Sequence, residues 1–86
     1  MELLLSKGAL KTLRRLQPRL MEAIIAEMER IAADPFAPHP NASKLAGTKS
    51  SYRLRHGDWR ILYRVDRAQQ LVFVEAVKPR GEAYKR

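Results

Sequence analysis

The chain has 86 residues, of which 17 are Lys or Arg and nine are Asp or Glu, giving a formal net charge of +8. A chain of this length predicts a single domain, residues 1–86. It has no cysteine, which excludes disulfides, thiolate catalysis and cysteine zinc sites and fits a reducing, cytoplasmic location. No apolar run approaches the roughly 18 residues of a membrane span, so no membrane partner is expected.

The positive charge is concentrated in the second part of the chain. Residues 52–86 hold nine basic and four acidic side chains, whereas the longer segment 1–51 holds eight and five. A basic segment of this kind indicates a polyanionic partner, and nucleic acid is the commonest one. The alternative is a basic protein whose charge serves only solubility.

The first half of the chain predicts one strand and two helices. The apolar run Glu2–Ser6 is typical of a strand, and Ser6 is suited to cap the helix that follows. Leucines at helical spacing predict an amphipathic helix that ends before Pro18. A second stripe at the same spacing predicts another helix to about Ala33. The proline-rich segment 34–43 is expected to be a loop.

The second half of the chain predicts three antiparallel strands joined by short turns. These strands span about Tyr52–His56, Trp59–Val65 and Gln70–Val77. The two helices are expected to cover the apolar face of the sheet. The predicted fold is therefore α+β, with a small antiparallel sheet of about four strands and an N-terminal helical hairpin packed on one face. The element order is β-α-α-β-β-β.

Strand alternation places four arginines on one face of the predicted hairpin, while aromatic and aliphatic residues share the other face. These arginines are Arg53, Arg55, Arg60 and Arg64. Guanidinium groups bind phosphate oxygens in pairs, so this face is a candidate phosphate-binding surface. The alternative is a solvated face on which arginines pair with Glu75 or Asp66 across strands.

Further candidates are a tail aromatic residue and two histidines. Tyr84, with Arg80 and Lys85 nearby, either stacks on an unpaired base or docks the tail against the core. His56 lies at a turn beside the basic face, where proton transfer is conceivable, but an exposed turn residue is the simpler interpretation. His39, between prolines, is expected to be inert. No metal-ligand spacing or cofactor motif is present, so no metal or cofactor is expected.

Three segments taken together resemble the RelE/ParE superfamily of bacterial type II toxins. They are ELLLSKGALKTLRRLQP, KLAGTKSSYRLRHGDWRILYRVD and VKPRGEAYKR. They are similar, in order, to the first strand and helix of that family, its central signature and its closing arginine-to-tyrosine segment. The resemblance covers nearly the whole chain. It implies a small antiparallel sheet with a helical hairpin, and it implies a labile antitoxin, encoded beside the toxin, as the partner.

The resemblance implies one of two activities. Members of the RelE branch cleave messenger RNA in the ribosomal A site, whereas members of the ParE branch inhibit DNA gyrase without catalysis. The expected partners are therefore mRNA and the ribosome, or gyrase in the alternative. For a nuclease that uses 2′-hydroxyl attack, the resemblance implies catalytic roles for Arg60, Arg80 and Tyr84. The resemblance implies RNA binding by Arg53, Arg55 and Lys78, and the pattern of basic residues adds Arg64 and Lys85 as RNA-binding candidates.

Two departures from the family pattern concern proton transfer. Pro79 stands where many members have a histidine, and no acidic base has a clear counterpart in this sequence. A plain nucleic-acid-binding module and an inactive toxin are further alternatives. The first would bind with a steep dependence on salt but would not arrest growth.

Overall fold

The computed structural model describes residues 1–81, which form two helices and five strands. The elements are β1 Glu2–Leu5, α1 Lys7–Arg15, α2 Pro18–Ala33, β2 Ala42–Lys44, β3 Ser51–His56, β4 Trp59–Asp66 and β5 Leu71–Pro79. The α+β class and the predicted element order are confirmed. Strand β2 is an addition to the prediction and begins inside the segment expected to be a loop. It has three residues, too few to show an alternating pattern, and is defined by its pairing with β3.

Both helices begin and end where the local sequence signals placed them. The Ser6 hydroxyl accepts a hydrogen bond from the Ala9 amide at 3.0 Å and donates one to the Glu75 carbonyl at 2.8 Å. The cap of α1 therefore also ties this helix to β5. Pro18 is the first residue of α2, where its fixed φ suits the helix. No helical hydrogen bond is lost there, because a backbone N–H at this position has no acceptor within the helix.

The sheet has the strand order β1-β5-β4-β3-β2 and is mixed. Strand β1 pairs in parallel with β5, from Glu2 opposite Leu71 to Leu5 opposite Val74, whereas the other neighbouring pairs are antiparallel. The short turns force antiparallel pairing on β3, β4 and β5 only. The long connection through two helices leaves β1 free to pair in the parallel sense.

The apolar stripes of α1 and α2 pack on one face of the sheet, as the helical spacing predicted. The core contributed by the helices is Ala9, Leu13, Ile24, Met28, Ile31 and Ala32, and the strands add Leu54, Ile61, Tyr63, Val65, Val72, Val74 and Val77. Tyr52 and Trp59 are half-buried against this core. No helix within the described residues has both the length and the apolar composition that a membrane crossing requires.

The turn between β3 and β4 brings the ends of three strands together. Gly57 has φ +57°, as the first central residue of a type II′ turn requires. The amide of Arg80, just beyond β5, donates a hydrogen bond of 2.8 Å to the Asp58 carbonyl in this turn. The segment after β5 is thereby fastened beside the β3–β4 turn.

Candidate active site

Four arginines converge at the end of the sheet that carries the β3–β4 turn. Arg53 and Arg55 lie on β3, Arg60 lies opposite Arg55 on β4, and Arg80 follows β5. They line one cavity of about 390 Å³, together with Pro40, Asn41, Ala42 and Ser43. We call these four residues the arginine cleft. No carboxylate from residues 1–81 lines this cavity, so its charge is strongly positive.

A second cavity, of about 670 Å³, shares Arg55, Arg60 and Arg80 with the arginine cleft. It extends past the β3–β4 turn to helix α2, from which Glu27 and Arg30 line it. We call this second space the turn cavity. The two spaces together make a continuous concave surface around the tip of the hairpin.

Arg60 is buried, with 5% of its surface exposed, rather than displayed on an open face as the sequence had suggested. Its Nη1 donates hydrogen bonds to the Gly57 carbonyl at 2.8 Å and the Trp59 carbonyl at 2.9 Å. Its Nε is buried and has no hydrogen-bond partner among residues 1–81. A buried cationic donor without a partner is costly, and an anion in the cleft would relieve that cost.

Three of the cleft arginines lack an ion pair with any carboxylate of residues 1–81. Within residues 1–81, the ion pairs of 4.0 Å or less involve His56 and Arg64. Arg55, Arg60 and Arg80 therefore have no such carboxylate partner in this part of the chain. An arrangement of this kind favours the binding of a phosphate group.

Arg64 lies apart from the arginine cleft, although strand alternation placed it on the same face. It lies 3.8 Å from Asp66 and 4.0 Å from Glu75, so the cross-strand pairing considered from the sequence occurs at this arginine. Arg64 lines a separate groove of about 470 Å³ that also contains Lys44, Lys49 and Arg67. We call these four residues the basic groove.

The remaining predicted site residues lie elsewhere or outside the description. Lys78 lies opposite Arg60 in the strand register but lines a cavity between α1 and β5. Tyr84 and Lys85 lie outside the described residues. The structure therefore brings Arg53, Arg55, Arg60 and Arg80 to one cavity, whereas Arg64 and Lys78 line other cavities, Lys78 while pairing across strands with Arg60.

Sequence reasoning missed a histidine–carboxylate pair at the rim of the turn cavity. The Nδ1 atom of His56 lies 2.7 Å from the Glu27 Oε1 atom, and the two side chains are only 26% and 18% exposed. His56 is the last residue of β3 and contacts Glu27. Its interpretation as an exposed turn residue is therefore wrong. The missed signal was its position: His56 shares strand parity with Leu54, which faces the helices.

The other histidine lies away from both spaces. His39 Nε2 lies 2.8 Å from the Asp34 carbonyl oxygen, within the segment that connects α2 and β2. Across residues 1–81, no three His, Asp or Glu side chains group closely enough to hold a metal ion. The groups that line the turn cavity are guanidinium groups, the His56 imidazole and the carboxylates of Glu27 and Asp58.

Comparisons with known proteins agree with this fold. Residues 3–84 match a family model described as the ParE toxin of type II toxin-antitoxin system, parDE. No curated protein matches the sequence. The chain is similar to a chain of the archaeal RelE-RelB complex from Pyrococcus horikoshii OT3, with a TM-score of 0.80, 25% identity and coverage of 93% of this chain and 94% of that one.

Two further solved structures share the fold. A chain of the intact E. coli RelBE toxin-antitoxin complex is 28% identical, with a TM-score of 0.75 and coverage of 91% of this chain and 94% of that one. The YoeB/ParE toxin from Agrobacterium tumefaciens is 21% identical, with a TM-score of 0.76 and coverage of 92% and 98%. The latter likeness concerns the fold alone.

Proposed function

We propose, from its arginine cleft, that this chain is a toxin that cleaves messenger RNA on the ribosome. The chain belongs to the ParE toxin family of type II toxin–antitoxin systems, within the RelE/ParE superfamily. The observation that carries this proposal is the arginine cleft. Four guanidinium groups line one cavity without a carboxylate from the described residues. Such a site suits a phosphodiester whose negative charge increases during reaction.

The proposed reaction needs no cofactor. The 2′-oxygen of one nucleotide attacks the adjacent phosphorus, and the products are a 2′,3′-cyclic phosphate and a 5′-hydroxyl. The transition state carries more negative charge on the phosphoryl oxygens than the substrate does. Fixed cations stabilise that charge best when they are already in place, which is the situation of the buried Arg60.

Each cleft residue then has a role that fits its position. Arg60, held by two turn carbonyls, stabilises the transition-state charge. Arg53 and Arg55 bind phosphates of the RNA backbone and do not distinguish between bases. Arg80, fastened beside the turn, acts at the phosphate or the leaving oxygen. Tyr84 stacks on a base or relays a proton, and Arg64, Lys78 and Lys85 contact the flanking backbone.

The proposed partners follow from the same family membership. The archaeal and E. coli relatives were solved as RelE-RelB and RelBE toxin-antitoxin complexes. We accordingly expect an antitoxin, encoded beside this toxin, that covers the cleft and blocks RNA binding. The ribosome aligns the message, and the site of action is the cytoplasm.

Inhibition of DNA gyrase is the second candidate function, and the matched family model favours it, because that model describes the ParE toxin. The two functions differ in what induction does to a cell. A nuclease produces messages cut within codons, whereas a gyrase inhibitor triggers a DNA-damage response with messages intact. The second result would replace the ribonuclease proposal.

The test compares cleft variants with a surface arginine. The toxin is expressed from a tight promoter as the parent and as the cleft variants Arg55→Ala and Arg60→Lys. The matched control is Arg19→Ala, which removes one positive charge, as Arg55→Ala does, from an exposed position on α2. We expect the parent and Arg19→Ala to arrest growth and cut messages, and each cleft variant to lose about 100-fold or more in cleavage rate. Equal toxicity of Arg55→Ala and Arg60→Lys would show that the cleft is not the active site.

A further inference from the structure

The turn cavity contains a histidine whose ring orientation is set by a carboxylate. His56 Nδ1 lies 2.7 Å from Glu27 Oε1. A carboxylate can only accept a hydrogen bond, so the neutral imidazole carries its proton on Nδ1 when it makes this contact. The other ring nitrogen, Nε2, then has a free lone pair. This is the arrangement in which an imidazole accepts a proton from a substrate.

The imidazole also lies next to the phosphate-binding arginines. His56 directly follows Arg55 in β3, and it pairs across the hairpin with Trp59, the residue before Arg60. The charged groups that line the cavity around it are Glu27, Arg30, Arg55, Asp58, Arg60 and Arg80. Strand alternation sends the Arg55 side chain to the face of the sheet opposite His56. Both side chains nevertheless line the turn cavity at the end of the hairpin, so a phosphodiester bound in that cavity can contact both of them.

Glu27 is held in place by a well-packed helix. Its neighbours Ile24, Met28 and Ile31, on the facing stripe of α2, are buried in the core. A carboxylate on such a helix has a fixed backbone, and its hydrogen bond fixes both the tautomer and the orientation of the ring. The contact spans 29 residues of sequence, so only the packing of α2 on the sheet creates it.

We propose that His56 is the general base of the RNA cleavage and that Glu27 is its positioning residue, an inference that rests on the ribonuclease function proposed above. The Nε2 lone pair takes the proton of the 2′-hydroxyl as that oxygen forms a bond to phosphorus. The bond from phosphorus to the 5′-oxygen breaks, and the departing 5′-oxygen takes a proton from water. The imidazolium returns its proton to solvent.

The experiment measures cleavage of a synthetic message on purified ribosomes by the full-length toxin. The variants are His56→Gln, His56→Ala and Glu27→Gln. The matched control is His39→Gln, which removes the other histidine, whose ring lies against the Asp34 carbonyl and lines neither cavity. General-base catalysis contributes about 100-fold or more, so His56→Gln should lose at least that much in the maximal rate. The toxin concentration that gives half the maximal rate should stay unchanged, because the arginines still bind the RNA.

Three readouts separate catalysis from structural support. The fall in rate toward low pH that protonation of a base produces should disappear in His56→Gln and change in Glu27→Gln. Added imidazole should restore part of the activity of His56→Ala. In the full chain without ribosomes, nitrogen NMR of the neutral ring should show the His56 proton on Nδ1, and this tautomer preference should weaken in Glu27→Gln.

The outcomes distinguish this proposal from the one on which it rests. If the parent cuts RNA and Arg55→Ala does not, but His56→Gln equals the parent, the nuclease stands and His56 is not its base. If His56→Gln is inactive only because its melting temperature falls, and imidazole restores nothing in His56→Ala, the pair is structural and the proposal fails. If the rate of Glu27→Gln depends on pH in the same way as that of the parent, Glu27 is not a positioning residue. If the parent cuts no RNA, both proposals fail together.

Discussion

Tyr63 shows how far burial changes the chemistry of a single side chain. It is 1% exposed, and its ring stacks on that of Tyr52 with centroids 5.3 Å apart. Burial first, and the nearby Tyr52 second, raise the pKa of the Tyr63 phenol from 10.0 to about 12. The phenol therefore stays neutral in the folded chain at a pH where it ionises in the unfolded chain.

This difference in pKa predicts a loss of stability in alkali. The contribution of the Tyr63 phenol to the free energy of unfolding is complete below pH 10, where the phenol is protonated in both the folded and the unfolded chain. It declines by about 1.4 kcal/mol per pH unit as pH rises from the unfolded pKa to the folded one. Tyr63→Phe should lack this decline, so the free energy of unfolding of the parent should fall relative to that of the variant between pH 10 and 12. Chemical denaturation at a series of pH values measures it, and parallel curves would contradict the assigned shift.

Among the elements, β5 combines two functions because its register shifts once. The shift occurs opposite Leu62 and Tyr63, where Glu75 is the extra residue. Val72, Val74 and Val77 are buried on both sides of it, although strict alternation would not place all three on one face. Because of this bulge, β5 contributes core residues on both sides of the register shift, and Arg80, just beyond its end, lies beside the β3–β4 turn.

At the start of α1, one hydroxyl supports both the helix and the sheet. Ser6→Ala removes the bond from the Ala9 amide and the bond to the Glu75 carbonyl. Loss of an N-cap costs about 1 kcal/mol, and the second bond adds up to about as much again. We expect the free energy of unfolding to fall by about 1–2 kcal/mol in urea titrations. Ser6→Thr, which keeps the hydroxyl, should retain most of it, whereas equal losses in both variants would assign the effect to packing.

The whole molecule separates its apolar and cationic surfaces. Both helices cover one face of the sheet, while the arginine cleft and the basic groove lie along β2, β3 and β4. Together these two surfaces hold eight basic side chains on the part of the sheet where we propose that RNA binds. Binding by such a surface depends mainly on phosphate contacts and on the release of counterions.

Salt should accordingly weaken RNA binding in a predictable way. With about four phosphate contacts, the logarithm of the association constant for single-stranded RNA should fall with a slope of about −3 against the logarithm of salt concentration. Arg55→Ala should reduce the slope by about 0.7, and Arg64→Ala should reduce it similarly without abolishing cleavage. Fluorescence anisotropy with a 2′-O-methyl RNA, which cannot be cut, measures these slopes. A slope near zero would exclude backbone binding by these arginines.

Local chemistry was sufficient to predict the elements and much of the site. Ser6, Pro18 and Gly57 act within a few residues of themselves, so the helix starts and the hairpin turn follow from the sequence alone. The alternation of β3 and β4 likewise identified Arg53, Arg55 and Arg60 of the cleft, since strand parity depends only on counting residues. The residues quoted for the family resemblance predicted the fold and the membership that the comparisons confirm.

Long-range packing decided what those local patterns could not. The parallel pairing of β1 with β5, the burial of Arg60 and the separation of Arg64 from the cleft all depend on where distant segments meet. The pair formed by His56 and Glu27 is of the same kind, because its partners lie on a strand and a helix with no shared local signal. By itself the sequence determined which side chains could bind a phosphate. Only the tertiary structure decided which of these side chains line the same cavity, because that geometry comes from contacts between residues far apart in the chain.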